Sequence, residues 1–131
     1  MRGERIFSGS VYEEKAKYAR AAVIPDAGGD WIFVSGTTGY DYATMAIAPD
    51  AARQARQCFV NIAAALREAG ASVDDVVRIR VYLADRKDFE AVAVEVAAFC
   101  ESSRPANTTV IAPLVDEKMR VEIEVTARRS K

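Results

Sequence analysis

Apolar and polar positions along the chain change period several times, and each change marks an element. Ile6-Phe7-Ser8-Gly9 reads as a short first strand, and the charged segment from Glu13 to Arg20 as irregular. Ala21-Ala22-Val23-Ile24 predicts a strand, and Pro25-Asp26-Ala27-Gly28-Gly29-Asp30 a hairpin turn. Trp31-Ile32-Phe33-Val34-Ser35-Gly36 is apolar nearly throughout, which predicts a strand covered on both faces. Gly36 ends it, and Thr37 to Tyr42 forms a loop.

The period then becomes helical. Ala51, Ala55, Cys58, Phe59, Ile62, Leu66 and Ala69 fall on one stripe, behind Asp50 as N-cap and ahead of Gly70 as the left-handed stop. From Val76 to Leu83 the period is two, with Val77, Ile79, Val81 and Leu83 on one face and Arg78, Arg80 and Tyr82 on the other. A second helix is expected from Asp88, as its cap, to about Glu101, with Phe89, Val92, Val96, Phe99 and Cys100 as its stripe. Strands over Thr108 to Ile111 and Arg120 to Ala127 finish the chain.

The order is β-β-β-α-β-α-β-β, without a repeat or linker. Two singly striped helices cover only one face of such a sheet. The other face carries Arg78, Arg80, Glu122 and Glu124 among apolar neighbours, a mixture that suits burial against another copy of the chain. The turn Arg104-Pro105-Ala106 and the last two strands are expected to bring Asn107, Thr109 and Glu122 together near one sheet edge.

Composition narrows the chemistry. At 131 residues and 50% hydrophobic, residues 1–131 fit one folded domain. The net charge of −1, with acids and bases interspersed, argues against a nucleic-acid binder. The stretch Met1-Arg2-Gly3-Glu4-Arg5-Ile6-Phe7 has no apolar run of a signal peptide, and no segment reaches membrane-span length. A cytoplasmic place is expected. The chain has no histidine, which removes Ser-His and Cys-His nucleophiles, imidazole acid–base catalysis and histidine-ligated metals. Cys58 and Cys100 lie on helix stripes and read as core thiols. They do not suffice for a structural zinc site.

With those residues placed, the chain resembles the Rid family, also called the YjgF/YER057c/UK114 family. The resemblance spans nearly the whole sequence. It rests on Val34-Ser35-Gly36; on Gln54-Ala55-Arg56-Gln57 with Asn61; on Gly70 with Val73-Asp74-Asp75-Val76-Val77; and on Pro105-Ala106-Asn107-Thr108-Thr109-Val110 with Val121-Glu122-Ile123-Glu124. It implies an α+β, chorismate-mutase-like fold: a mixed six-stranded sheet with two helices on one face. It also implies a homotrimer with small-molecule pockets between subunits. The family's best-known activity is hydrolysis of reactive enamines and imines to carbonyl compounds and ammonia, without metal or organic cofactor.

By that resemblance Tyr18 is the pocket tyrosine and Gly36 the glycine after the third strand. Thr109 takes the place of a small residue whose backbone N–H faces the ligand. Glu122 is the acid that positions water. Asn107 departs from the pattern, because deaminase-competent members carry an arginine there. Arginine holds a carboxylate through paired charge-assisted hydrogen bonds, and losing such a bond costs about 1.5–3 kcal/mol. Arg20, two residues after Tyr18, is the candidate replacement, reaching the cleft from a neighbouring subunit. The function expected is therefore hydrolysis of an imine or enamine other than a simple 2-imino acid. The alternative is a non-catalytic trimer that binds a metabolite, such as a 2-oxo compound, or a partner. An endoribonuclease reading has little support in this composition.

Overall fold

The structure, a computed structural model, describes residues 3–130; Met1 and Arg2, part of the charged N-terminal stretch, and Lys131 lie outside the described residues. In chain order the strands and α-helices are β1 (Glu4–Ile6), α1 (Val11–Ala16), β2 (Ala21–Asp26), β3 (Gly29–Thr38), β4 (Tyr40–Asp41), β5 (Ala46–Ile47), α2 (Ala51–Glu68), β6 (Val76–Leu83), α3 (Phe89–Phe99), β7 (Ala106–Ile111) and β8 (Val121–Ser130). Six strands form a mixed sheet in the order β1-β2-β3-β8-β6-β7. β6 and β7 run parallel, joined by α3 as a crossover, and the other neighbours run antiparallel.

Alternation builds the core. Ile32 and Val34 of β3, Ile79, Val81 and Leu83 of β6, and Val121, Ile123, Val125 and Ala127 of β8 turn to one face. There they meet Ala55, Cys58, Phe59, Ile62 and Leu66 of α2, with Val92 and Val96 of α3. Each large aliphatic side chain buried this way stabilises the fold by about 1.5–3 kcal/mol. Phe59 stacks on Phe99, centroids 4.3 Å apart, and ties the two long helices together. Asp50 caps α2 by accepting from the Arg53 N–H, and Gly70 follows it at φ 78°. No helix among the described residues is long and apolar enough to cross a membrane.

Several expectations are corrected. The segment from Glu13 to Arg20 is not irregular throughout: α1 occupies its first part, capped by the Ser10 hydroxyl and ended by Lys17 in the left-handed region at φ 58°. Val77 does not face the core. A bulge between Val76 and Arg78 turns Val76 inward and leaves Val77 exposed. Asp88 makes no side-chain cap for α3; its carboxylate instead pairs with Arg120 at 2.8 Å, and Asp85 caps the short 3-10 turn before the helix. β3 is not covered on both faces within the chain. Both long helices pack on one side, so Phe33 stays 48% exposed on the other.

β6 lies between β7 and β8, so Asn107 and Thr109 are not next to Glu122. Asn107 and Thr109 stand opposite Ile79 and Val81, whose side chains face the helices. Glu122 stands opposite Tyr82, on the face away from α2 and α3. Within one chain these residues occupy opposite faces of the sheet.

Candidate functional site: a tyrosine-lined cleft around Glu122

On the face away from α2 and α3, a cleft of about 230 Å³ opens between α1, the end of β3 and the start of β8. Tyr12, Tyr18 and Tyr42 supply aromatic walls, Val115 and Met119 apolar ones, and Arg20, Gly36 and Glu122 the polar floor. Local backbone devices place these groups. Lys17 turns the chain sharply after α1, with the Tyr18 N–H bonded back to the Glu13 carbonyl. β3 carries a bulge between Val34 and Thr37, where Ser35 and Gly36 together stand opposite the single residue Glu124. The bulge brings the Gly36 backbone against the Glu122 side chain, where a Cβ would lie 2.3 Å from Oε2. Only glycine leaves that space free.

Two amides of the α2 motif fix the surrounding segments. The Gln54 side chain donates to the carbonyls of Ala48 and Lys118, both at 2.8 Å, and accepts from the Arg120 N–H. It thereby anchors the segment that carries Met119 into the cleft. Asn61 donates to the Thr38 and Tyr40 carbonyls, holding the end of β3 and the start of β4. A buried amide with its donors and acceptor satisfied fixes geometry at little net cost.

Glu122 is half-buried, and its carboxylate accepts no side-chain hydrogen bond from the described residues. Burial, and then the nearby Glu124 charge, push its pKa above the ordinary carboxylate value, while Arg20 pulls the other way. Glu124 is engaged elsewhere, accepting from the Tyr82 hydroxyl. Glu122 therefore presents a basic carboxylate to the cleft.

Arg20 belongs to the interior of its own chain rather than to a neighbour's cleft. It is 2% exposed. Its Nε–H donates to Glu13 at 2.9 Å, Nη1 to the Gly36 carbonyl and the Thr37 hydroxyl, and Nη2 to the Tyr18 hydroxyl at 3.4 Å. The guanidinium lies 5.5 Å from the Tyr18 ring centroid and 4.9 Å from that of Tyr42. Glu13 also accepts from Ser8, from both its N–H and its hydroxyl. Arg20 is thus a paired post under the cleft.

The structure gathers Tyr18, Gly36 and Glu122 into one cleft and leaves Asn107 and Thr109 outside it. Those two sit at the rim of a second, apolar groove of about 320 Å³ between α3 and the edge strand β7, near Phe89, Val92 and Cys100. The Thr109 hydroxyl donates to the Asn107 amide oxygen at 3.2 Å. Tyr40 is buried and packs its ring 5.9 Å from that of Tyr12, whereas Tyr42 lines the cleft. Burial also raises the Tyr42 pKa, keeping the phenol protonated. Tyr12, Tyr42 and Met119 were not anticipated. The one legible signal was Ser10-Val11-Tyr12-Glu13, the spacing of an N-capped helix start that presents Tyr12. Cys58 is a core thiol donating to the Thr37 carbonyl, with its pKa raised chiefly by burial. No group of three acidic or thiol side chains among the described residues is placed to hold a metal ion.

The chain is similar to several known proteins. A family model described as Endoribonuclease L-PSP matches residues 10–129. A RutC family protein of Pyrococcus abyssi is 32% identical over 128 residues, covering 97% of this chain and 98% of that protein. A 2-iminobutanoate/2-iminopropanoate deaminase of Salmonella typhimurium is 33% identical over 104 residues, covering 77% of this chain and 81% of that protein. A crystal structure from Mycobacterium tuberculosis, described as a member of the YjgF/YER057c/UK114 family, is 33% identical. It matches with a TM-score of 0.84 over 95% of this chain and 98% of that one.

Proposed function

Because this chain belongs to the Rid (YjgF/YER057c/UK114) family, we propose that it hydrolyses a reactive imine or enamine in the cleft around Glu122. The observation that carries this reading is the Glu122 carboxylate, half-buried, facing the cleft and without a hydrogen-bond donor among the described residues. Such a group is suited to hold a water and take its proton. Water attacks the imine carbon, the C=N electron pair moves to nitrogen, and the carbinolamine collapses to a carbonyl compound and ammonia. Glu122 accepts the proton of the attacking water and returns it to the departing nitrogen. The name of the Salmonella relative supports this chemistry.

The assembly proposed is a homotrimer with its pockets between subunits. β7 is an edge strand whose residues are almost all exposed, a feature that folded proteins usually cover. Asn107 and Thr109 reach a Glu122 cleft only from another copy, since their own Glu122 lies on the opposite face of the sheet. The missing histidine speaks against a ribonuclease with an imidazole base.

The test is direct. Imines are generated in situ from a panel of amines and amino acids, and their loss is followed with and without the purified protein. Turnover well above the buffer rate supports the proposal. Rates no faster than buffer across the panel contradict it and leave the non-catalytic ligand-binding reading, in which the Asn107 departure has removed the activity.

A further inference from the structure

Resting on the hydrolase reading, we infer that the cleft selects cationic iminium substrates that lack a carboxylate and carry a small aromatic or apolar body. The charges around the cleft lead there. A substrate carboxylate is held most strongly by an uncommitted cation, and none of this chain's described residues offers one in the lining. Arg20 is the one basic side chain in the lining, and its bonds are already made: Nε to Glu13, Nη1 to the Gly36 carbonyl and Thr37, Nη2 to Tyr18. Its charge is matched by Glu13, and the Tyr18 and Tyr42 rings flank it.

The uncompensated charge in the cleft is negative. Glu122 forms no ion pair among the described residues, Arg20 near it is already paired with Glu13, and Glu124 adds to the same negative field. A bound carboxylate would be repelled there, and a protonated imine attracted. The tyrosine faces favour a cation too, because their ring quadrupoles are negative. Val115 and Met119 complete an apolar wall. At about 230 Å³ within one chain, the space suits a body the size of a phenylethyl group.

The reaction balances without a co-reactant: R2C=NH2+ and water give R2C=O and NH4+. An oxidation of a primary amine is the class of reaction that supplies such an imine.

Two substrates that differ only in the carboxylate test the inference. Phenethylamine with an amine oxidase supplies the carboxylate-free imine, and phenylalanine with an amino-acid oxidase supplies the 2-imino acid. Hydrolysis of each is followed, and calorimetry measures binding of phenethylamine and of phenylalanine to the native protein and to Glu122→Gln. The inference expects kcat/KM at least tenfold higher for the carboxylate-free imine, with phenethylamine binding abolished in Glu122→Gln. Equal or faster hydrolysis of the 2-imino acid overturns it while leaving the hydrolase reading intact. If neither imine is hydrolysed but phenethylamine binds in a Glu122-dependent way, the hydrolase reading fails and the ligand class stands. If phenethylamine binds no better than phenylalanine, the ligand class is wrong.

Discussion

Gly36 and Glu122 lie so close that a Cβ on residue 36 would sit 2.3 Å from Glu122 Oε2. The contact joins a bulge in β3 to the exposed-face carboxylate of β8, two features far apart in sequence. Gly36→Ala therefore pushes the carboxylate aside, since the obstructing atom is the end of a flexible side chain. The stability cost is expected at the low end of the roughly 1–3 kcal/mol typical of overpacking. A displacement of about 1 Å at a reacting group lowers rate by about a hundredfold. Imine hydrolysis measured beside thermal unfolding checks this: activity falls steeply while Tm moves by a few degrees at most.

Glu122 also predicts a pH-dependent stability difference. Its folded pKa is raised above the ordinary 4.5, first by burial and then by Glu124. The native state thus binds this proton more tightly than the unfolded state does. Stability from this group falls as pH rises from 4.5 through the raised value. Glu122→Gln carries no such penalty, so it is expected to be more stable than the native protein at pH 7, with the gap closing below about pH 4. Urea unfolding at the two pH values reads this directly, and a variant less stable at pH 7 contradicts it. A gain in stability on removing a half-buried charge is the usual mark of a site kept for function.

The Glu13–Arg20 pair is buried on both sides, 4% and 2% exposed. Breaking such a pair by removing one member costs about 3–5 kcal/mol, because the other charge is left without compensation. Arg20→Met should lose that much in chemical denaturation. The double variant Glu13→Leu, Arg20→Met should recover much of it, since no charge then remains buried. Equal destabilisation by the single and double variants would show that the pair acts through something other than its charges.

Asn107→Arg tests the intersubunit arrangement. If β7 of one copy faces the Glu122 cleft of another, a guanidinium at 107 supplies the carboxylate anchor that Asn107 lacks. Hydrolysis of 2-imino acids should then rise by about tenfold or more, the worth of one charge-assisted bond. Light scattering at micromolar concentration should return a trimer for both proteins. A monomer, or an unchanged substrate preference in a trimer, contradicts the shared pocket.

Much of this architecture was legible. The single stripe of α2 between Asp50 and Gly70, and the alternation of Val121, Ile123 and Val125 against Glu122 and Glu124, carry their own geometry. The parallel pairing of β6 and β7 was also legible in principle, because a helix between two strands makes a crossover. Reading β7 as the neighbour of β8 ignored that rule and put Asn107 beside Glu122. The bulges at Val76/Arg78 and at Val34/Thr37 left no trace in the periodicity, since one extra residue changes faces without changing composition. Helix α1 was hidden by its charge density, although Ser10 and Glu13 mark its start. Tyr42 and Arg20 came to the cleft through tertiary packing, which neighbouring residues do not encode.

In the proposed reaction Glu122 performs the chemistry. The most direct measurement is kcat/KM for a carboxylate-free imine with the native protein and with Glu122→Gln, circular dichroism confirming that both are folded. A loss of about a hundredfold or more, the usual worth of a positioned general base, is the predicted result. Hydrolysis at the native rate by a folded Glu122→Gln protein would mean that the reaction does not run through this carboxylate.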